Sequence, residues 1–369
     1  MNCENIGICG GCSALEEYSL ESKIACASAM LGVKNFEVFG SQEVSFRARC
    51  ELGIYHKENK IIYTMRKGRQ FVPIQNCPIL VDNLQAFLQV LKEVLNDDFF
   101  GDFREKLFAI EALSTQVDTI LLTLIYHKKL NDKWLEIARV FKEVLEKRGI
   151  KLEVVGRSRG VKIAVDKDFV IEELKVGKKG YFYRYDEGAF SQPNPKVNEK
   201  MLKWAMDSLK RSDEDLLEMY CGCGNFTIPF SEKFRKVLAT EISKTSIRAA
   251  QFACEKNQRN NIKFVRLNAQ ECIEALEGVR EFRRLEGIRL QDYRFSSVFV
   301  DPPRAGLGEE VSRFLQRFQN ILYISCNPST LAKDLEILKQ THKISKVAFF
   351  DQFPHTPHLE SGVLLHKSN

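Results

Sequence analysis

No uninterrupted apolar run in this 369-residue chain approaches the ~20 residues that a membrane-crossing helix needs, so no membrane partner is expected. The opening residues, MNCENIGICGGCS, hold no basic patch followed by an apolar stretch. A secretory leader is therefore not expected, and the chain reads as cytoplasmic. Internal repeats and low-complexity linkers are also missing, which excludes repeat arrays and tethered modules. Nor is the chain short of core formers, as a disordered one would be: 44% of its residues are hydrophobic and 10% aromatic, against 28% charged. Charge of one sign is in small excess only. With 55 Lys+Arg and 49 Asp+Glu the net charge is +6, which permits a nucleic-acid partner without requiring one.

What is present is cysteine, 11 residues of it. In a reducing compartment these are expected as buried thiols, metal ligands or nucleophiles rather than disulfides. The length suggests two domains, or one large domain with an insertion.

Three regions can be told apart. Residues 1–40 carry closely spaced cysteines and then an apparent helix, ALEEYSLESKIACASAMLG, ending near Gly32. Residues 41–180 mix strand-like stretches (RARCELGIYH, KIIYTM, TILLTLIYH, KLEVVGRS) with helical windows around 83–95 and 133–148, an α+β pattern. Residues 181–369 repeat strand, turn and helix, the rhythm of βα units on a mostly parallel sheet. Asn194 and Pro195 form an N-cap and first-turn pair that opens one of its helices. The boundary between the last two regions is soft, within 165–185.

In DLLEMYCGCGNFTIPF (215–230) an apolar strand runs into a turn with two glycines and then a helix start. Such a turn lets a ligand approach the backbone, and the helix start offers free N–H groups. The next strand, KVLAT, ends at Glu241, 19 residues beyond Gly222, where a Rossmann-like fold sets a carboxylate against ribose hydroxyls. A third glycine is missing, which disfavours a dinucleotide and an NAD-dependent oxidoreductase. An adenosyl ligand such as S-adenosylmethionine suits the turn better; a plain structural turn is the bland alternative. Asn268 and Ala269 follow a further strand and are candidates to face the adenine, with a purely structural role as the equal alternative.

Two later strand ends are more informative. SSVFVDPPRAG leaves Asp301 at the carboxyl end of a strand, ahead of two prolines that hold the loop rigid. ILYISCNPST leaves Cys326 at the end of the next. Ligands of open α/β sheets bind outside those ends, so Cys326 is a candidate nucleophile rather than buried filler. In FFDQFPHTPHLESGVLLHK, Glu360 stands beside an apolar strand and is a candidate general base. His355 and His358 lack a partner set for metal and read as loop or RNA-facing residues.

The blocks YCGCGNF, FSQPN, VFVDPPRAGL, ILYISCNPSTL and FDQFPHTPHLESGVLL, with YHKKLNDKW and GVREFRRLEGIRLQDY, resemble the signature blocks of the RNA uracil-5-methyltransferase family, most of all its tRNA branch. The resemblance runs from about Arg47 to the carboxyl end. It implies a Rossmann-like S-adenosylmethionine-dependent methyltransferase domain behind an RNA-binding α+β region. It also implies methylation of carbon 5 of the tRNA T-loop uridine, with tmRNA as a second substrate and no protein partner. Position by position, Cys326 matches the nucleophile, Glu360 the base, and Gln192, Tyr220, Asn225, Glu241 and Asp301 the residues around S-adenosylmethionine. Phe190 falls where the family has an aromatic beside the reacting site. The implied chemistry needs these types: a thiolate added to carbon 6 makes carbon 5 nucleophilic, and a base later takes the carbon 5 proton.

Cys3, Cys9 and Cys12 have the spacing C-x5-C-x2-C, and Cys77 follows in QNCPIL. Four thiolates so spaced suit an iron–sulfur cluster, [4Fe–4S], or structural zinc. They resemble the cluster ligands of the family's ribosomal-RNA branch, so the same reaction on 23S ribosomal RNA is the alternative substrate reading. A non-catalytic RNA-folding chaperone is the alternative of another class. Basic and aromatic residues alternate at Arg47/Arg49, Tyr63–Arg69, Arg157/Arg159 and Lys178–Arg184, which is expected to form the RNA surface.

Overall fold

The structure, a computed structural model, describes residues 1–13 and 18–368. The first part of the expected amino-terminal helix, residues 14–17, lies outside the described residues. The rest forms α1 (Leu20–Leu31), started by the Ser19 side chain accepting from the Ser22 N–H and stopped by Gly32 at φ +65°. A short strand, β1 (Glu37–Phe39), follows.

The next stretch builds a seven-stranded sheet. Its members are β2 (Arg49–Lys57), β3 (Lys60–Lys67), β4 (Gln70–Pro73), β5 (Leu107–Ser114), β6 (Thr119–Tyr126), β7 (Lys151–Ser158) and β8 (Val161–Ala164), in the order β4-β3-β2-β5-β6-β7-β8. Helices α2 (Asp82–Leu95), α3 (Gly101–Arg104) and α4 (Asp132–Lys147) interrupt it. Only β6 and β7 pair in parallel, because the connection between them is long enough to hold α4. Leu84, Phe87, Leu88, Leu91 and Leu95 of α2 share one face, and Phe141 and Leu145 of α4 meet them on the sheet.

A hairpin of β9 (Phe169–Val176) and β10 (Lys179–Asp186) then crosses to the second half. The boundary expected between residues 180 and 181 falls inside β10. Tyr181, Tyr183 and Tyr185 of this hairpin lie in one core with Leu113, Leu121 and Val155 of the first sheet and Leu216, Phe299 and Ile324 of the second. No apolar gap separates the halves.

The remaining elements are α5 (Pro195–Ser208), β11 (Asp215–Met219), α6 (Thr227–Phe230), β12 (Val237–Thr240), α7 (Lys244–Lys256), β13 (Ile262–Val265), α8 (Ala269–Leu276), β14 (Phe295–Val300), α9 (Gly308–Leu315), β15 (Asn320–Ser325), α10 (Pro328–Leu338), β16 (His342–Phe350) and β17 (Glu360–Lys367). Their sheet has the order β1-β16-β17-β15-β14-β11-β12-β13. Strands β11, β12, β13, β14 and β15 are mutually parallel, and β17 is antiparallel to both neighbours. β11 and β12 are buried along their whole length, as strands covered on both faces must be, so they read as continuous apolar runs. Residues 20–39, met in the sequence as a separate cysteine-bearing segment, complete this sheet: β1 pairs with β16, and Ala27 and Leu31 of α1 join its core. Among the described residues, no helix is long and apolar enough to cross a membrane.

Candidate active site

The strand order reverses at β11, which has β12 on one side and β14 on the other. Crevices outside the carboxyl ends of strands at such a switch are where open α/β sheets hold ligands. Four expected site residues emerge there: Tyr220 after β11, Glu241 after β12, Asp301 after β14 and Cys326 after β15.

Tyr220 bends the chain at φ +63°, an uncommon conformation for a tyrosine, and Gly222 follows at φ +54°. The Gly222 N–H donates to Glu241 Oε2 at 3.1 Å, and the Ser243 N–H donates to Oε1 at 2.8 Å. One carboxylate thus laces the first two turns together. Beneath them Glu218, 1% exposed, has a buried Oε2 with no partner. Burial, with Asp301 adding to it, pushes this acid up to about 8.

Asn225, expected beside the methyl donor, has its own protein partners. Its amide exchanges hydrogen bonds with buried Asn198 of α5 at 2.9 and 3.0 Å, while its carbonyl accepts from the Tyr183 hydroxyl at 2.9 Å. Asn268 is likewise occupied, in a capping box with Glu271 that starts α8. Gln192, just before α5, accepts at Oε1 from the fully buried Gln352 amide at 2.8 Å, and Gln352 Oε1 is left without a partner.

Cys326 and Glu360 reach the same rim from opposite chain directions. On β15, Leu322 and Ile324 face the core beneath α5, and so does Leu364 of β17. Strand alternation carries Cys326 and Glu360 to that same face. Glu360 is 3% exposed, whereas Cys326 is half-buried. Burial raises the thiol to about 11, with Glu360 and Asp301 contributing to the rise and Arg304 opposing it. Glu360 and Asp301 are both held above the usual carboxylate range, chiefly by burial. Arg304 belongs to the DPPR loop, which is tied to the cysteine loop: its carbonyl accepts from Asn327 Nδ2 at 3.1 Å and from the Thr330 hydroxyl at 3.3 Å. Its guanidinium donates to His358 Nε2 at 2.9 Å. His355 bonds to the Glu43 carbonyl at 2.9 Å, so both loop histidines have protein partners. Phe190 is 72% exposed beside Gln192.

A cavity of about 1210 Å³ lies elsewhere. Cys3, Cys9, Cys12 and Cys77 line it together with Arg66, Lys67, Phe71, Phe108 and the loop 353–358 that leads to Glu360. The Gly11 N–H points at Cys9 Sγ at 3.4 Å. Burial pushes Cys12 to about 12, with Cys77, Cys9 and Cys3 adding to the rise. Yet among the described residues no group of three or more His, Cys, Asp or Glu is arranged to hold a metal ion. The expected ligands share a cavity without forming a closed metal site.

The expected RNA surface divides. Arg66 lies over the Phe71 ring at 4.5 Å, and Phe71 and Phe108 are 49% and 41% exposed. The Lys178–Arg184 cluster is split: Lys178 and Lys179 are exposed, Lys179 pairing with Glu232, whereas Tyr181 and Tyr183 are core residues and Arg184 pairs with buried Asp186. Tyr63 is buried too, its hydroxyl on the Leu88 carbonyl.

Residues 15–368 match the family model for tRNA (uracil-5-)-methyltransferase. The chain belongs to that family. A tRNA/tmRNA (uracil-C(5))-methyltransferase of Wolinella succinogenes is 46% identical over 99% of both chains. A namesake from Neisseria meningitidis is 46% identical over 92% of this chain and 93% of its own. The crystal structure of Pyrococcus abyssi tRNA (uracil-54, C5)-methyltransferase in complex with S-adenosyl-L-homocysteine shares the fold, with a TM-score of 0.70 at 22% identity over 95% of this chain and 83% of that one. The α/β architecture expected from the βα rhythm is therefore that of this methyltransferase family.

Further residues belong to the site without a role in the sequence expectation. Gln352 lies within FDQFPHTPHLE and Arg304 within DPPR, so the motifs that contain them are the signal that could have found them. Asn198, inside α5, gives no signal apart from being polar on a buried helix face.

Proposed function

We propose that this enzyme methylates carbon 5 of the T-loop uridine of tRNA, uridine 54 by analogy with the Pyrococcus abyssi enzyme, with tmRNA as a second substrate. S-adenosylmethionine is the methyl donor. The observation that carries this reading is the meeting of Cys326 and Glu360 at one rim, next to Asp301.

The residues present suit the donor. Glu241 and Asp301 offer carboxylates toward an adenosyl ligand and its cationic sulfonium, Gly222 and Tyr220 form the open turn, and Gln192 presents an amide held by Gln352. When bound, S-adenosylmethionine supplies an electrophilic methyl group. The protein does the rest. Cys326 Sγ adds to carbon 6 of the uracil and converts the ring to an enolate, so that carbon 5 becomes the nucleophile. Glu360 then accepts the carbon 5 proton, the 5,6 double bond returns and the thiolate leaves. The exposed ring of Phe190 stands ready to stack on a base drawn out of its loop.

For RNA, the reading rests on the seven-stranded sheet at residues 41–180, where exposed Phe71 and Phe108 lie beside Arg66 and Lys67 in the large cavity. The cysteines of that cavity are the right donor chemistry for an iron–sulfur cluster, and what supports that assignment is that all four line one cavity. No step of the reaction runs through it. Iron and sulfide analysis of protein purified without oxygen tests it, and a colourless, iron-free preparation ends it.

The deciding experiment is nucleoside-resolved mapping of RNA from a deletion strain. Loss of 5-methyluridine from the tRNA T-loop is expected, restored by the wild-type gene and not by Cys326→Ala. Loss confined to 23S ribosomal RNA overturns the substrate. Full cellular function of Cys326→Ala with unmethylated tRNA favours the chaperone reading.

A further inference from the structure

The loop Asp351–Leu359 carries the chain from β16 into Glu360, and its two ends meet on one buried cation. Lys23 of α1 is 6% exposed, although lysine is seldom buried without a specific partner. Its Nζ donates to Asp351 Oδ1 at 2.5 Å, to the Phe353 carbonyl at 3.2 Å and to the His358 carbonyl at 3.2 Å. Three ammonium hydrogens therefore meet three acceptors, two at the start of the loop and one at its end. Asp351 is itself buried, and its N–H donates to the Phe39 carbonyl of β1.

We infer that Lys23 is a positioning residue for the carboxylate of Glu360: the buried Lys23–Asp351 pair pins the loop so that Glu360 meets the carbon 5 proton. Other bonds hold single points of the loop, Gln352 to Gln192, His355 to the Glu43 carbonyl and His358 to Arg304, whereas Lys23 joins its two ends. Within the loop, Thr356 Oγ1 donates to the Phe353 carbonyl and accepts from the His358 N–H, and His355 adopts φ +61°. Those bonds fold the loop on itself without fixing it to the sheet. Lys23 ties it to α1, and α1 packs on α10, the helix that begins two residues after Cys326. The cation thus connects the scaffold of the thiol to the approach of the carboxylate. A buried pair with every donor satisfied brings specificity of arrangement more than net stability.

The consequence is a separation of steps. Addition of Cys326 and methylation of carbon 5 need the thiol side of the rim, which Lys23 does not touch. Removal of the carbon 5 proton, which regenerates the double bond and breaks the Cys326–carbon 6 bond, needs Glu360 in place. Misplacing a reacting group by about 1 Å can cost about a hundredfold in rate.

This inference rests on Glu360 being the base, so Glu360→Gln runs alongside as the control. The test uses full-length enzyme, tRNA transcript and methyl-labelled S-adenosylmethionine, read by rapid quench and by gel under denaturing conditions. Lys23→Met alone leaves Asp351 buried and unpaired, so Lys23→Met/Asp351→Leu, which removes both charges, is the main variant, with Lys23→Arg as the conservative one. For the double variant the first methyl transfer stays within about threefold of wild type, while turnover falls about 10–100-fold and a methylated protein–RNA adduct accumulates. Lys23→Arg restores turnover in part. Normal turnover without adduct overturns the proposal, and so does an equal loss of first transfer and turnover without adduct, the mark of a merely structural role. If Glu360→Gln itself gathers no adduct, the base is misassigned and the functional reading fails at that point, whatever Lys23 does.

Discussion

Ser325 of β15 pairs with Ser361 of β17 in antiparallel register, so one step on from Ser325 and one step back from Ser361 Cys326 stands opposite Glu360. The reversal of β17 within an otherwise parallel array produces this meeting. A parallel strand would deliver its first residue to the far end of the sheet, away from the thiol.

Cys326 is held protonated at neutral pH in the free enzyme, since burial, Glu360 and Asp301 all raise it, to about 11. Alkylation of the wild-type protein by iodoacetamide, followed residue by residue by mass spectrometry, should speed up with pH through about 9 and 10 without levelling off. Saturating S-adenosylmethionine should move that profile to lower pH, because a cation beside Asp301 offsets one of the charges that hold the proton on sulfur. A profile that levels off near pH ~8 contradicts the assigned environment.

Gly362 lets α5 close on the sheet. A Cβ there would lie 2.5 Å and 2.8 Å from the ring of buried Trp204 and 3.1 Å from Ile324 Cδ1. Gly362→Ala is expected to lose about 1–3 kcal/mol of stability by overpacking. Because Trp204 Nε1 also bonds to Glu37 Oε1 at 2.8 Å, the strain passes to β1 as well. Urea unfolding measures the loss; an unchanged midpoint refutes the packing argument.

Glu218 couples folding to pH. Its folded value, about 8, exceeds the ordinary 4.5, so the folded chain keeps a proton that the unfolded chain has lost between those values. The stability from this group is complete below pH 4.5 and drains away as pH rises toward 8. Glu218→Gln removes that drain, so the variant should gain on wild type by up to about 4 kcal/mol between acid and alkaline conditions. Denaturant midpoints at about pH 5 and about pH 8.5 read the difference, and parallel curves would contradict a raised, buried Glu218 carboxyl.

Replacing Arg66, Lys67 and Arg69 together by alanine should weaken tRNA binding and lower the slope of log affinity against log salt by about 2. Lys67 also donates to the Gly7 carbonyl, so circular dichroism should accompany the titration. An unchanged slope removes this face from the RNA path.

The rim is largely legible in the sequence because strand-end residues sit next to their own punctuation: Asp301 before two prolines, Cys326 before Asn327–Pro328, Glu241 at the close of an apolar run. Each signal is local. The hairpin misleads for the opposite reason. Basic and aromatic residues alternate through Lys179–Arg184 as an RNA-reading strand would, but which face is covered depends on Glu232, Asp186 and the core of the second sheet, which local alternation does not report. Asn225 belongs to the expected turn, yet nothing in the chain alone reveals its amide exchange with Asn198. Least legible is Lys23, the single lysine of α1, whose carboxylate partner lies 328 residues away.

The apolar interior that runs without a break from Leu113 through Tyr183 to Ile324 has a practical outcome. Cutting the chain between its two sheets would expose greasy surface on either fragment, so neither sheet is a cassette that can be lifted out alone. Replacing one of them would mean rebuilding that seam residue by residue.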